Sequence, residues 1–218
     1  MAHIHLPDGS FTLFWVLVWW ACALALVGVC LAWARRRPVD RRRITTAAFV
    51  TTASFAVFQV EIPLLGGVHL NLTPLVGILV GPLLGSFVVL VVNILSAGIG
   101  HGGWGLIGAN VLVNFSEVLV AYLAYRGLKR VMPGLFSRAG IATFAGLFTG
   151  NIVMIGIILI SGIQGVTQTT SQILVGLSLL AAVNMGVAVI EAIITGLVVA
   201  YIGRVRPDLL EGDRRCRV

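Results

Sequence analysis

Long apolar runs, interrupted by short polar or glycine-rich breaks, dominate the chain. A membrane-crossing helix needs about 20 mostly apolar residues. The stretches 12–34, 45–65, 109–125, 141–163 and 173–202 follow that pattern. The run 72–97 is different: it is too short for two full-length spans, and Gly81-Pro82 sits in its middle. Proline removes a helical hydrogen bond and glycine relaxes the backbone, so the pair predicts a break. The pattern therefore predicts two short or tilted helices, 72–80 and 83–97, and seven segments in all. Short, broken helices are acceptable in a bilayer where they face protein or a cavity instead of lipid. The fold class expected is an all-α polytopic membrane bundle.

Composition agrees with that class. Of 218 residues, 58% are hydrophobic and 11% charged, and the mean hydropathy is +1.03. A soluble domain is about half apolar and about a quarter charged. The net charge of +7 changes the picture only through its placement. All fifteen Lys and Arg fall within 35–43, 126–138 and 204–217, and none lies in 1–11, 66–71, 98–108 or 164–172. Cytoplasmic loops carry the excess of basic residues, so the N-terminus is expected outside and the C-terminus inside. The charge then reflects topology, with no nucleic-acid partner, and the basic tail can touch anionic lipid. The expected organisation is an extracytoplasmic N-terminus, 1–11, a transmembrane domain, 12–203, and a cytoplasmic tail, 204–218. Parity supports the break at Gly81-Pro82: if His69 and His101 are both outside, the chain between them crosses an even number of times. Cys22 and Cys30 lie in an apolar run and Cys216 in the tail, which gives no disulfide framework.

The four histidines, His3, His5, His69 and His101, all fall on the expected outer side. Two of them stand in MAHIHLPDGS, next to a terminal amine. An amine, deprotonated backbone amides and an imidazole form a planar all-nitrogen chelate, which suits Ni(II) and Cu(II). If Met1 is retained, Met1, Ala2 and His3 supply four nitrogens. If Met1 is removed, the Ala2 amine, one amide and His3 supply three, and His5 or His69 adds the fourth. Pro7-Asp8-Gly9 predicts a turn that folds the arm back on the bundle. Asp8 is either a carboxylate that orients a ligand imidazole or an ordinary helix cap.

Glu61, Glu117 and Glu191 lie in or beside apolar runs, where acids usually face a cavity or a partner. Glu61, just before Pro63, is expected near the outer end of its helix, where it reaches water; the deeper Glu117 and Glu191 read as proton or metal relays, or as glutamates hydrogen-bonded between helices. Gly81 with Gly85, and Gly146 with Gly150, are small residues at close-packing spacing. No phosphate-binding G-x-x-x-x-G-K-[ST] motif occurs. The chain is not expected to be an enzyme, and ATP hydrolysis would have to come from another polypeptide.

Several stretches resemble one family, the CbiM/NikM proteins, which are substrate-binding (S) components of energy-coupling-factor transporters for cobalt and nickel. They are HLPDG at 5–9, GGVHLN at 66–71 with LVGILVGPLLG after it, HGGWGLIGANVLVN at 101–114, and IEAIITG at 190–196. The resemblance covers about residues 5–202. It implies seven helices in the cell membrane of a prokaryote and import of divalent cobalt or nickel, with no permanently bound cofactor. It also implies a transmembrane coupling subunit, two ATP-binding cassette ATPases and a small accessory membrane subunit as partners. The ion would be held by the N-terminal amine, a backbone amide, an N-terminal histidine and a loop histidine. By position the loop histidine is His69 and the N-terminal one is His5, but His3 takes second place if Met1 is removed. His101 and Asn110 match positions that organise the loop around the site. Two rival readings are an S component for a vitamin-like organic solute, and a membrane scaffold or enzyme using Glu117 and Glu191.

Overall fold

The computed structural model describes residues 8–36, 41–59, 61–62, 68–165 and 169–210. Among these it contains seven α-helices: α1 (Leu13–Arg35), α2 (Arg41–Phe58), α3 (Thr73–Val80), α4 (Pro82–Gly98), α5 (Ile107–Gly127), α6 (Leu135–Ser161) and α7 (Thr170–Val205). Four helical stretches are long and apolar enough to cross a membrane: Leu13–Arg35, Trp104–Arg130, Leu135–Ser161 and Ser171–Val205. Shorter apolar helices run over Arg43–Phe58 and Pro82–Gly98. Most of the large exposed side chains are apolar, as lipid-facing surfaces require.

The ends of the helices follow local chemistry. Thr12 caps α1 by accepting the Trp15 N–H, and α7 starts in a capping box between Thr169 and Gln172. The break between α3 and α4 falls on Gly81, whose φ of +82° and ψ of 171° suit glycine almost alone. Pro82 then opens α4, where its missing N–H costs nothing. Gly81→Ala should therefore destabilise the protein by about 1–3 kcal/mol, read as a lower melting temperature in detergent.

One expected span is corrected. The apolar run 45–65 does not form a single helix, because α2 stops at Phe58. Glu61 and Ile62 instead pair antiparallel with His69 and Val68, as strands β1 (Glu61–Ile62) and β2 (Val68–His69). Ile62 precedes Pro63, and a residue before proline avoids helical geometry. Glu61 is thus a strand residue, not the outer end of a helix.

Helix α5 is the centre of the bundle, packed against α1, α3, α4 and α6. Close approach needs small residues. A Cβ on Gly108 of α5 would lie 2.5 Å from the Trp20 backbone nitrogen of α1, and one on Gly146 of α6 would lie 2.8 Å from the Glu117 carbonyl oxygen. Helix α3 is buried at seven of its eight residues. At 1.5 Å per residue it is only about 12 Å long, so the loop before it enters the bundle too: His69, Asn71 and Leu72 are buried.

The two ends of the bundle differ. At one end Ser10 accepts the Gln164 N–H at 2.8 Å, and His69 meets His101. The other carries the basic turns, where buried Arg138 donates to the Tyr125 hydroxyl at 2.7 Å.

Candidate metal centre

His69 is held where β2 runs into the buried loop. Its ring packs on Phe58 from the end of α2, with centroids 5.5 Å apart. His101, in the glycine-rich loop between α4 and α5, packs edge-on to both: 5.1 Å from Phe58 and 4.2 Å from His69. The two Nε2 atoms lie 3.1 Å apart, a hydrogen bond in which one ring donates and the other accepts. Two nitrogens bound side by side to one ion at about 2.0–2.1 Å would be separated by about 3 Å. The pair therefore has the spacing for a shared proton or for a shared cation.

The arm leading to the N-terminus is fixed on the same glycine-rich loop. Asp8 Oδ1 accepts the Gly105 N–H at 2.9 Å and Oδ2 accepts the Trp104 N–H at 3.2 Å. Trp20 of α1 donates to the Trp104 carbonyl at 3.2 Å, and Trp19 donates to Ser161 at 2.8 Å. Of the two roles open to Asp8, the structure places it on main-chain donors at the start of the Trp104–Leu106 turn. The fit is close, because a Cβ on Gly103 would lie 2.9 Å from the Asp8 carboxyl carbon. Asp8→Ala leaves both donors to water and should release the arm, seen as at least ~10-fold faster amide exchange at Trp104 and Gly105.

His3 and His5, with Met1 and Ala2, lie outside the described residues. Asn110 is buried on α5, one turn before Asn114 and on the same face as Glu117. Among the described residues no group of three His, Cys, Asp or Glu side chains converges to hold a metal.

Beneath the histidines lies a polar layer that the sequence reading divided between relays and interhelical hydrogen bonds. Thr73 donates a short hydrogen bond to Glu117 Oε2, and Asn71 donates to the same oxygen at 3.2 Å and to Asn114 Oδ1 at 3.2 Å. Glu191 Oε1 accepts the N–H groups of Leu72 at 2.7 Å and Asn71 at 3.3 Å. Both glutamates are fully buried and hydrogen-bonded between elements. Asn71 is the residue the sequence reading missed; only its place two residues after a loop histidine hinted at it.

The family model described as the cobalt uptake substrate-specific transmembrane region, CbiM, matches residues 5–209. The chain belongs to this family. It is 28% identical over 219 residues to a protein of Methanocorpusculum labreanum provisionally named cobalt transport protein CbiM 1, covering 95% of this chain and 92% of that one. It is also 28% identical over 217 residues to a provisionally named fused nickel transport protein, NikMN, of Archaeoglobus fulgidus, covering 95% of this chain and 68% of the relative. A crystal structure of a transition metal transporter shares the fold with a TM-score of 0.76 at 20% identity, over 99% of this chain and 100% of that one. The protein is thus a multi-pass membrane protein of a cobalt and nickel transport family, and a transport component, not an enzyme.

Proposed function

We propose that this chain is the metal-capturing subunit of an ATP-driven, energy-coupling-factor importer of Ni(II) or Co(II). The ion is bound at the histidine end of the bundle, which faces outward in the prokaryotic cell membrane. A transmembrane coupling subunit, two ATP-binding cassette ATPases and a small accessory membrane subunit then drive its release at the basic, cytoplasmic end. Residues 1–11 form the capturing arm, 12–203 the membrane domain and 204–218 the cytoplasmic tail.

The observation that carries this reading is the meeting of the arm and the loop histidines on one glycine-rich loop. Asp8 fastens the arm to Trp104 and Gly105, and the same loop presents His101 against His69. A chain extends at most about 3.6 Å per residue. His5 therefore stays within roughly 11 Å of Asp8, and His3 within roughly 18 Å. The ligand set is the terminal amine of Met1 or Ala2, a backbone amide, His3 or His5, and His69. His101 supports His69 from outside that set.

Elemental analysis and titration of the detergent-purified protein with a native N-terminus test this reading. One Ni(II) or Co(II) per chain is expected. Binding should weaken in acid, because amine, amide and imidazoles must shed protons to coordinate. A retained organic solute with no metal uptake would instead make the chain a capture subunit for a vitamin-like molecule.

A further inference from the structure

We infer that Glu191 and Glu117 are positioning residues for His69: carboxylates from α7 and α5 grip residues 71–73 and so set where the loop histidine stands. The consequence for metal binding rests on the function proposed above; the grip itself does not.

The backbone before α3 has polar groups that its own side chains cannot satisfy. Residues 70–72 run from β2 into the bundle without regular structure, and buried backbone of this kind is tolerated in a membrane protein only when its polar groups find protein partners. Leu72 caps α3 with a left-handed φ of +50°, and its apolar side chain cannot satisfy the N–H groups that a helix start leaves open. Glu191 supplies what is missing. Its Oε1 accepts both the Leu72 and the Asn71 N–H, two of the donors that the start of α3 leaves open.

Glu117 holds the next residue and the neighbouring side chain. Its Oε2 accepts from Thr73 and Asn71, and Asn71 is tied further to Asn114. Glu117 itself is seated on α6, where a Cβ on Gly150 would come within 2.6 Å of the Glu117 Cγ. The spacing of Gly146 and Gly150 thus makes room for a carboxylate as well as for a helix. Two long helices, α5 and α7, thus grip a segment that starts two residues after His69, and α6 backs Glu117. The ring is flanked by Phe58 and His101 on its far side, so the hold on residues 71–73 fixes the main chain that carries it.

The test compares Glu191→Leu, which has no acceptor, with Glu191→Gln, whose amide oxygen can still take both N–H groups. Amide exchange over 69–76 reads the grip without metal, and Ni(II) titration with the visible nickel band reads its consequence. Glu191→Leu should speed exchange at Asn71 and Leu72 at least ~10-fold and weaken nickel binding roughly 10–100-fold, with exchange in α5 and α6 unchanged. Glu191→Gln should restore most of both. If Glu191→Leu fails to fold, Thr73→Val and Asn114→Ala each remove one bond and should move the same readouts less far. Parental exchange and affinity in Glu191→Leu would overturn the inference. So would equal loss of nickel in both Glu191 variants with the loop still protected, since charge rather than grip would then matter. A parent that binds no nickel refutes the proposed function, while the exchange data still decide the grip.

Discussion

Replacing His69 by alanine is expected to weaken Ni(II) or Co(II) binding more than ~100-fold. Loss of groups that merely support a metal ligand typically costs 10–100-fold in affinity, and a ligand should cost more. His69 is 2% exposed, so its truncation leaves a buried gap where the ligand nitrogen stood. Solvent cannot easily supply the missing donor beneath Phe58. His101→Ala is the matched comparison. It removes the ring that meets His69 at 3.1 Å but leaves the proposed ligand set whole, so a loss of about 10-fold is expected. Equal losses in the two variants would make His101 a ligand in its own right. Isothermal titration in detergent separates these outcomes, and an unchanged melting temperature excludes unfolding as the cause.

Gly108→Val should be among the most destabilising single changes in the bundle, by about 3 kcal/mol or more. Overpacking a core usually costs 1–3 kcal/mol, but here the added atoms meet main chain. The nearest neighbours of a new Cβ are the backbone atoms of Trp19 and Trp20, within 2.7 Å. Backbone cannot rotate away, so α1 must separate from α5. That movement would also pull on the Trp20 hydrogen bond to Trp104 and on the loop that anchors Asp8. Gly28→Ala, in the same helix α1, has open space around its new Cβ and should be neutral or slightly stabilising. A thermal shift assay on the two variants checks the contrast.

The sequence revealed most where one strong local signal acted alone. Gly81-Pro82 marked the α3–α4 break within a residue, because no tertiary contact is needed to stop a helix there. The end of α2 was hidden, since Val60, Ile62, Leu64 and Leu65 prolong the apolar run past Phe58, and the one local signal against a helix there is Pro63. Hydropathy measures partition into lipid, not helix geometry. The lack of Lys and Arg in 66–71 and 98–108 put His69 and His101 on one expected side, yet their ring contact depends on how α3 enters and α4 returns. The spacing of Gly146 and Gly150 signalled close packing, but the guest they admit, Glu117, comes from another helix. Asp8 was legible as a turn residue; its partners, 96 and 97 residues away, were not.

On this reading an N-terminal histidine claw closes on His69. Its most direct test is nickel titration of three proteins with native, unextended N-termini: the parent, the His3→Ala and His5→Ala double variant, and His69→Ala. One ion per chain in the parent, lost in both variants, is the predicted result. Full parental affinity in the double variant would contradict it, because the ion would then be held without the arm.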